Sequence, residues 1–176
     1  MIKNLVFSAG GTRCISYISI LNYIENNNEL FDIQNISASS GGSIYALCFC
    51  LGYTFNDMKE LSLNMTSEKI CDLSLTDFFK NYGLDSGKKI EELIKLIIKK
   101  KNNNDNINFK DFYEKYKINL IITGTNLKTR QTEYFNYKTL NMKPKPSSVT
   151  VRHQGTVLGN ILRFSNTHQI SHFISR

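Results

Sequence analysis

Two glycine-containing turns constrain the fold of this chain more than any other feature of its sequence. The first follows an apolar segment, residues 2–7, and precedes residues 14–24, in which apolar side chains recur with helical spacing. The second, residues 37–42, lies between the apolar segment 31–36 and the nearly continuous apolar run 43–51. A strand, a tight turn and a helix, repeated along the chain, predict neighbouring parallel strands whose turns meet at one edge of a sheet.

The chain continues to alternate between helical and strand-like segments up to about residue 140. Helices are predicted at 56–65, 86–100 and Phe109–Tyr116, and strands at 118–123 and 131–137. Gly52 is expected to end the helix 43–51, because glycine accepts the left-handed cap conformation. The whole pattern predicts an α/β fold, a three-layer sandwich with a mostly parallel central sheet.

The composition of the chain changes near Asn141. No Asp or Glu follows Glu133, and both prolines and all three histidines lie in this last part of the sequence. The periodicity there is weak and predicts no extended helix or strand. We therefore divide the chain into a domain, residues 1–140, and a divergent tail, residues 141–176.

The composition of the chain limits its possible binding partners and its cellular compartment. The net charge of +7 is compatible with nucleic acid, an anionic membrane or no specific partner, but no nucleic-acid motif accompanies it. No apolar run has the length of a membrane span, and the first residues lack the pattern of a signal peptide. We expect an intracellular protein, cytoplasmic or peripheral at membranes. Four cysteines without a C-x-x-C pair predict neither a metal site nor disulfides.

The second turn has the pattern of a nucleophile elbow, in which a serine lies on a strained turn between a strand and a helix. Ser40 has Ala38 two residues before it and Gly42 two residues after it. Alanine at position 38 replaces the usual glycine, and alanine disfavours the positive φ angles that glycine accepts. Ser39 is the other candidate nucleophile, although its spacing from small residues fits the pattern less well.

The first turn offers backbone amides. The amides of Gly10, Gly11 and Thr12 are close enough in sequence to face one anion, either the oxyanion of acyl transfer or a phosphate. On its own, a pair of glycines is typical of an ordinary tight turn. Beside a serine elbow, the same turn predicts an oxyanion hole, and the helix after Ser40 favours the same negative charge through its dipole.

The two turns, in this order, resemble the glycine-rich segment and the nucleophile elbow of the patatin-like phospholipase family. Gly10, Gly11 and Arg13 match the glycine-rich segment. Glycine is usual in the family at four positions that carry other residues here, Ala9, Cys14, Ser19 and Ala38. Residues 78–87 and 108–127 resemble the middle of the family's domain, so the likeness extends over about residues 1–140.

The resemblance implies a lipid acyl hydrolase. In this interpretation Ser40 is the nucleophile, and Gly10, Gly11 and Thr12 surround the oxyanion. The substrate is a lipid ester, contact with a membrane is peripheral, and the reaction needs no metal and no cofactor. Arg13 either contacts an anionic headgroup or helps to form the turn.

The second catalytic residue of the family, an aspartate in an Asp-Gly motif, has no counterpart here. No Asp follows Asp111, so no residue is assigned as the dyad aspartate. Three explanations are open: truncation or a frameshift near Asn141, an inactive relative, or a histidine base, which would be His153, His168 or His172. Because a serine hydroxyl is a weak nucleophile without a base, we expect the chain alone to be inactive or weakly active.

Two other functions compete with hydrolysis. One is a non-catalytic lipid-binding or structural remnant of the same fold. The other is a phosphate- or nucleotide-binding module at Gly10 and Gly11, which the absence of P-loop and G-x-G-x-x-G motifs disfavours.

The lysines of the helix 86–101 either dock on anionic headgroups or form a solvated face. We favour the solvated face, because the apolar stripe of such a helix packs inward.

Overall fold

The computed structural model of the chain describes residues 1–27, 30–71, 87–126 and 131–139. Its strands are β1 (Ile2–Phe7), β2 (Phe31–Ala38), β3 (Asn119–Asn126) and β4 (Gln131–Phe135). Its helices are a 3₁₀ helix (Gly11–Ser16), α1 (Tyr17–Asn26), α2 (Gly42–Cys50), α3 (Phe55–Asn64), α4 (Ser67–Ile70), α5 (Lys88–Lys101) and α6 (Phe109–Tyr116). The tail predicted at 141–176, with its three histidines, lies outside the described residues.

The four strands form one sheet in the order β1-β2-β3-β4. Strands β1, β2 and β3 are parallel, and β4 is antiparallel to β3. Phe7 at the end of β1 pairs with Ala38 at the end of β2, and Ala38 pairs with Ile122 on β3. The turns that follow β1 and β2 therefore share one edge of the sheet. The predicted α/β class with a mostly parallel sheet is confirmed.

Helix α2 lies against the three parallel strands and is buried along most of its length. Ala46, Leu47 and Cys48 are fully buried, which explains why this helix has apolar residues all round. Two apolar rows of the sheet belong to the same core, one formed by Leu5, Ile36 and Leu120 and the other by Phe7, Ala38 and Ile122. Gly52 follows α2 with a φ of 73°, which confirms that it ends this helix in the left-handed conformation.

Capping side chains fix the start of α3. The side chain of Thr54 accepts a hydrogen bond from the amide of Asp57 at 3.2 Å, and the Asp57 carboxylate accepts one from the amide of Thr54 at 3.1 Å. This reciprocal pair is a capping box, and the hydrogen bond from the Thr54 backbone lowers the pKa of Asp57. The helix therefore begins one residue earlier than the sequence predicts.

Three asparagines form a row across the parallel strands. The Nδ2 of Asn35 on β2 donates to the Oδ1 of Asn4 on β1 at 2.9 Å. The Nδ2 of Asn119 on β3 donates to the Oδ1 of Asn35 at 3.0 Å. The same residues are direct partners in the strand register, so a slip of one residue would break the whole row.

The asparagine row leads to a prediction about stability. Asn35→Ala removes both side-chain hydrogen bonds, and we expect it to lower the free energy of unfolding by about 2 kcal/mol, or roughly 1 kcal/mol per bond. Asn4→Ala removes one of the two and should cost about half as much. The chain has no tryptophan, so urea unfolding is followed by far-ultraviolet circular dichroism. Equal midpoints for the two variants would contradict a central role for Asn35.

Candidate functional site

Ser40 lies on the sharp turn between β2 and α2 and has a φ of 49°. This is the left-handed region, which costs an L-residue about 1–2 kcal/mol relative to its preferred conformations. In the described ranges, Lys117 is the other non-glycine residue with a positive φ, and it caps the C-terminus of α6. At Ser40 the chain instead passes directly from a strand into a helix. Such strain at a strand-to-helix turn is typical of functional positions.

The positive φ belongs to Ser40 and not to Ala38. Ala38 is the last residue of β2, where it is buried and pairs with Phe7 and Ile122. Its backbone is not among those with a positive φ. The alanine that replaces the usual glycine is therefore compatible with the turn, and the conformational penalty expected at this position does not arise.

Gly42 brings the elbow against the end of β1. A Cβ atom on Gly42 would lie 2.6 Å from the carbonyl oxygen of Ser8 and 2.7 Å from that of Phe7. The amide of Ser39 donates to the same Phe7 oxygen at 3.0 Å. The start of α2 is therefore in direct contact with the backbone that leads into the first turn.

The two turns also meet through Gly41. A Cβ atom on Gly41 would lie 2.9 Å from the carbonyl oxygen of Gly11 and 3.2 Å from the Sγ of Cys14. The same sulfur would be 3.1 Å from a Cβ on Gly10. The thiol of Cys14 is therefore wedged between the two turns, and its burial raises its pKa, so that it stays protonated.

The residues predicted to form the oxyanion hole lie beside this contact. Gly10 precedes the 3₁₀ helix, Gly11 begins it with a φ of 53°, and the amide of Arg13 donates to the oxygen of Gly10 at 3.0 Å. The first amides of a helix have no acceptor within it, so those of Gly11 and Thr12 are not used by the 3₁₀ helix. All four residues, including Arg13, are exposed.

The structure adds a side chain that sequence reasoning did not assign to this region. The amide of Ser8 donates to the hydroxyl oxygen of Tyr17 at 2.7 Å, and that hydroxyl lies 3.3 Å from the oxygen of Ser8, to which it donates. The thiol of Cys14 donates to the same oxygen at 3.7 Å. Cys14 had a signal in the sequence, since it replaces a usual glycine. Tyr17 had none, because it shares the helical spacing of apolar residues.

A patatin-like phospholipase family model matches residues 5–158 of this sequence. The chain belongs to the patatin-like phospholipase family. An uncharacterised protein of Acanthamoeba polyphaga mimivirus is 31% identical over 143 residues, which are 77% of this chain and 46% of that protein. The patatin-like match extends beyond residue 140, where the resemblance of individual motifs ends.

Two solved structures have a similar patatin-like fold. The type III effector protein ExoU has a TM-score of 0.58 and 16% sequence identity, over 96% of this chain and 41% of its own. VipD from Legionella pneumophila has the same TM-score and identity, over 91% of this chain and 41% of its own. The predicted patatin-like fold is confirmed. The chain spans less than half the length of each relative.

The lysine-rich end of α5 lies far from Ser40 in this patatin-like domain. The Nζ of Lys101 is 3.4 Å from the oxygen of Gly52 and 3.4 Å from the carboxylate of Asp57. Gly52 follows the C-terminus of α2, whereas Ser40 precedes its N-terminus. Nine helical residues separate the two ends by about 13 Å. Ile94, Ile97 and Ile98 of α5 are buried, whereas Lys99, Lys100 and Lys101 are exposed, which supports the solvated-face interpretation. Docking of these lysines on headgroups is not tested by these observations.

The part of the chain that the structure describes has neither a metal-ligating cluster nor a membrane-spanning helix. No group of three His, Cys, Asp or Glu side chains there has the arrangement of a metal site. No helix in that part is both long and apolar enough to cross a membrane.

Proposed function

We propose that this chain is the nucleophile-bearing part of a lipid acyl hydrolase in which Ser40 attacks the ester carbonyl. The positive φ of Ser40 carries the proposal, because a serine on a strained turn between a strand and a helix projects from the edge of the sheet. Ser39 does not have a positive φ, and its amide donates to the carbonyl oxygen of Phe7. Membership of the patatin-like phospholipase family supports a lipid ester as the substrate.

The proposed reaction proceeds through an acyl-enzyme. The Oγ of Ser40 bonds to the acyl carbon, and the carbonyl electrons move to its oxygen, which becomes an oxyanion. The amides of Gly10, Gly11 and Thr12 donate hydrogen bonds to this oxyanion, and the N-terminus of α2 stabilises it further. The intermediate then expels the alcohol, which takes up a proton, and water hydrolyses the acyl-serine. Arg13, exposed beside the turn, contacts an anionic headgroup.

The proton of Ser40 needs an acceptor. Glu133 is a carboxylate that the sheet register brings to the same edge, because it pairs with Gly124, two residues beyond the Ile122 that pairs with Ala38. Two strand spacings of about 4.8 Å each separate β2 from β4. The variant Glu133→Gln tests whether this carboxylate accepts the proton of Ser40. Labelling slowed by about 10²–10⁴ would identify Glu133 as the base, and an unchanged rate would exclude it.

Labelling with a fluorophosphonate probe tests the nucleophile. We expect the folded chain to be labelled and Ser40→Ala to lose the label, since removal of a nucleophile costs about 10⁶ in rate in a well-studied serine enzyme. Ser39→Ala is the matched control and should label like the unmodified protein. Peptide mapping by mass spectrometry locates the modified serine. If the label survives in Ser40→Ala and disappears in Ser39→Ala, the nucleophile is Ser39 and the proposal is wrong.

A non-catalytic lipid-binding protein is the second candidate, because no Asp follows Asp111. This candidate predicts a folded chain that no fluorophosphonate labels but that binds lipid vesicles. Circular dichroism confirms folding before each measurement, and sedimentation with phospholipid vesicles measures binding. A folded chain that neither labels nor binds vesicles would contradict both candidates.

A further inference from the structure

Ser8 is one of the residues through which the first turn contacts the elbow. It follows β1 directly, and its carbonyl oxygen is the atom nearest to the position of a Cβ on Gly42. Ser8 therefore has α2 on one side and the residues of the proposed oxyanion hole on the other. A shift of its backbone would change the distance between those amides and Ser40.

Tyr17 binds both main-chain groups of Ser8. A hydroxyl has one hydrogen to donate and two lone pairs that accept, so one phenol can satisfy the amide at 2.7 Å and the carbonyl at 3.3 Å. The Tyr17 ring is itself held by its neighbours. Its centroid lies 5.0 Å from the Phe7 ring, in an edge-to-face contact, and 6.3 Å from the Tyr45 ring on α2.

We propose that Tyr17 is a positioning residue that holds the first turn in register with Ser40. The inference rests on the proposed acyl hydrolase function, because the turn matters to catalysis only if its amides bind the oxyanion. Tyr17 does not contact the acyl group and acts through Ser8. Without its hydroxyl, the Ser8 amide binds water and the Ser8 oxygen keeps only the weak thiol bond from Cys14, so the turn moves relative to the elbow.

Hydrogen exchange tests the structural part of this proposal without any need for activity. Tyr17→Phe keeps the ring and removes the hydroxyl. We expect the Ser8 amide, which loses its acceptor, and the Arg13 amide, which is bound to the oxygen of Gly10, to exchange about tenfold faster in this variant, while α5 is unchanged. Tyr45→Phe is the matched control, since it removes a buried hydroxyl that bonds to Ser62 at 3.0 Å and not to Ser8. Unchanged exchange at Ser8 and Arg13 in Tyr17→Phe would overturn the proposal.

The kinetics of fluorophosphonate labelling test the catalytic part. Tyr17→Phe should lower the maximal rate of labelling by about 10- to 100-fold, because small misplacements of catalytic groups slow the chemical step. The probe concentration that gives half of the maximal rate should stay unchanged. Tyr45→Phe should label at the original rate. If the unmodified chain is not labelled, the hydrolase proposal fails while hydrogen exchange still tests Tyr17. If Tyr17→Phe labels at full rate, the positioning role is wrong and the hydrolase proposal stands.

Cys14→Ala is a second variant that keeps the proposal testable if Tyr17→Phe does not fold. It removes the third hydrogen bond to the Ser8 main chain, the thiol contact at 3.7 Å. We expect faster exchange at the same two amides, Ser8 and Arg13, by a factor of about two, since a thiol is a weak donor. No acceleration there would show that the side-chain bonds to Ser8 do not hold the turn.

Discussion

Gly42→Ala should destabilise the fold by roughly 3 kcal/mol, at the upper end of the usual cost of overpacking. The added Cβ would lie 2.6 Å from the Ser8 oxygen, 2.7 Å from the Phe7 oxygen and 2.9 Å from the Phe7 carbonyl carbon. All three are backbone atoms, two on Phe7 at the end of β1 and one on Ser8 directly after it, and the sheet holds this end of β1 in place. No side chain can rotate away to relieve the contact, so either α2 or β1 has to move.

Gly52→Ala is the matched control for this prediction. Gly52 has a φ of 73°, and a Cβ there would meet no atom within 4 Å. Its substitution should therefore cost only the left-handed conformation, about 1–2 kcal/mol. Urea unfolding of both variants, followed by circular dichroism, compares the clash at the elbow with conformational strain alone. If Gly42→Ala is as stable as Gly52→Ala, the elbow is not packed against β1 as described.

The sequence predicts the parts of this fold that depend on local pattern. The bounds of β1 and α6 agree with the prediction, and α2 was expected from its apolar run. The two turns were predicted to meet because parallel strands place their carboxyl ends together, and the contact of Gly41 with Gly11 bears this out. Each of these features is encoded within a few neighbouring residues, or follows from a general rule of sheet topology.

Pairing between distant segments explains what the sequence did not predict. Strand β2 continues to Ala38, beyond the predicted end at residue 36, because its last residues pair with the end of β1. Asn4, Asn35 and Asn119 are far apart in the sequence, and their row exists only in the observed register. The hydroxyl of Tyr17 is likewise uninformative until helix α1 folds back over Ser8.

In the proposed function, the position of Ser40 trades stability against reactivity. Small residues at the elbow relieve close contacts, but the left-handed backbone at Ser40 is a cost that the serine itself bears. A glycine at this position would avoid that cost and could not attack an ester. Retaining a serine where glycine fits better is the arrangement expected of a position selected for chemistry.

Ser40→Gly is accordingly expected to abolish fluorophosphonate labelling and to raise stability. Relief of the left-handed strain contributes about 1–2 kcal/mol, and the greater freedom of glycine in the unfolded chain offsets about 0.5–1 kcal/mol. A net gain of roughly 0.5–1 kcal/mol follows. Ser40→Ala is the matched variant, because it also lacks the hydroxyl but keeps the strain at a φ of 49°. Both variants should lose the label by about 10⁶ in rate, and only the glycine should unfold at higher urea. A glycine variant less stable than the alanine variant would mean that the backbone at Ser40 is not strained, and the main support for the nucleophile elbow would be lost.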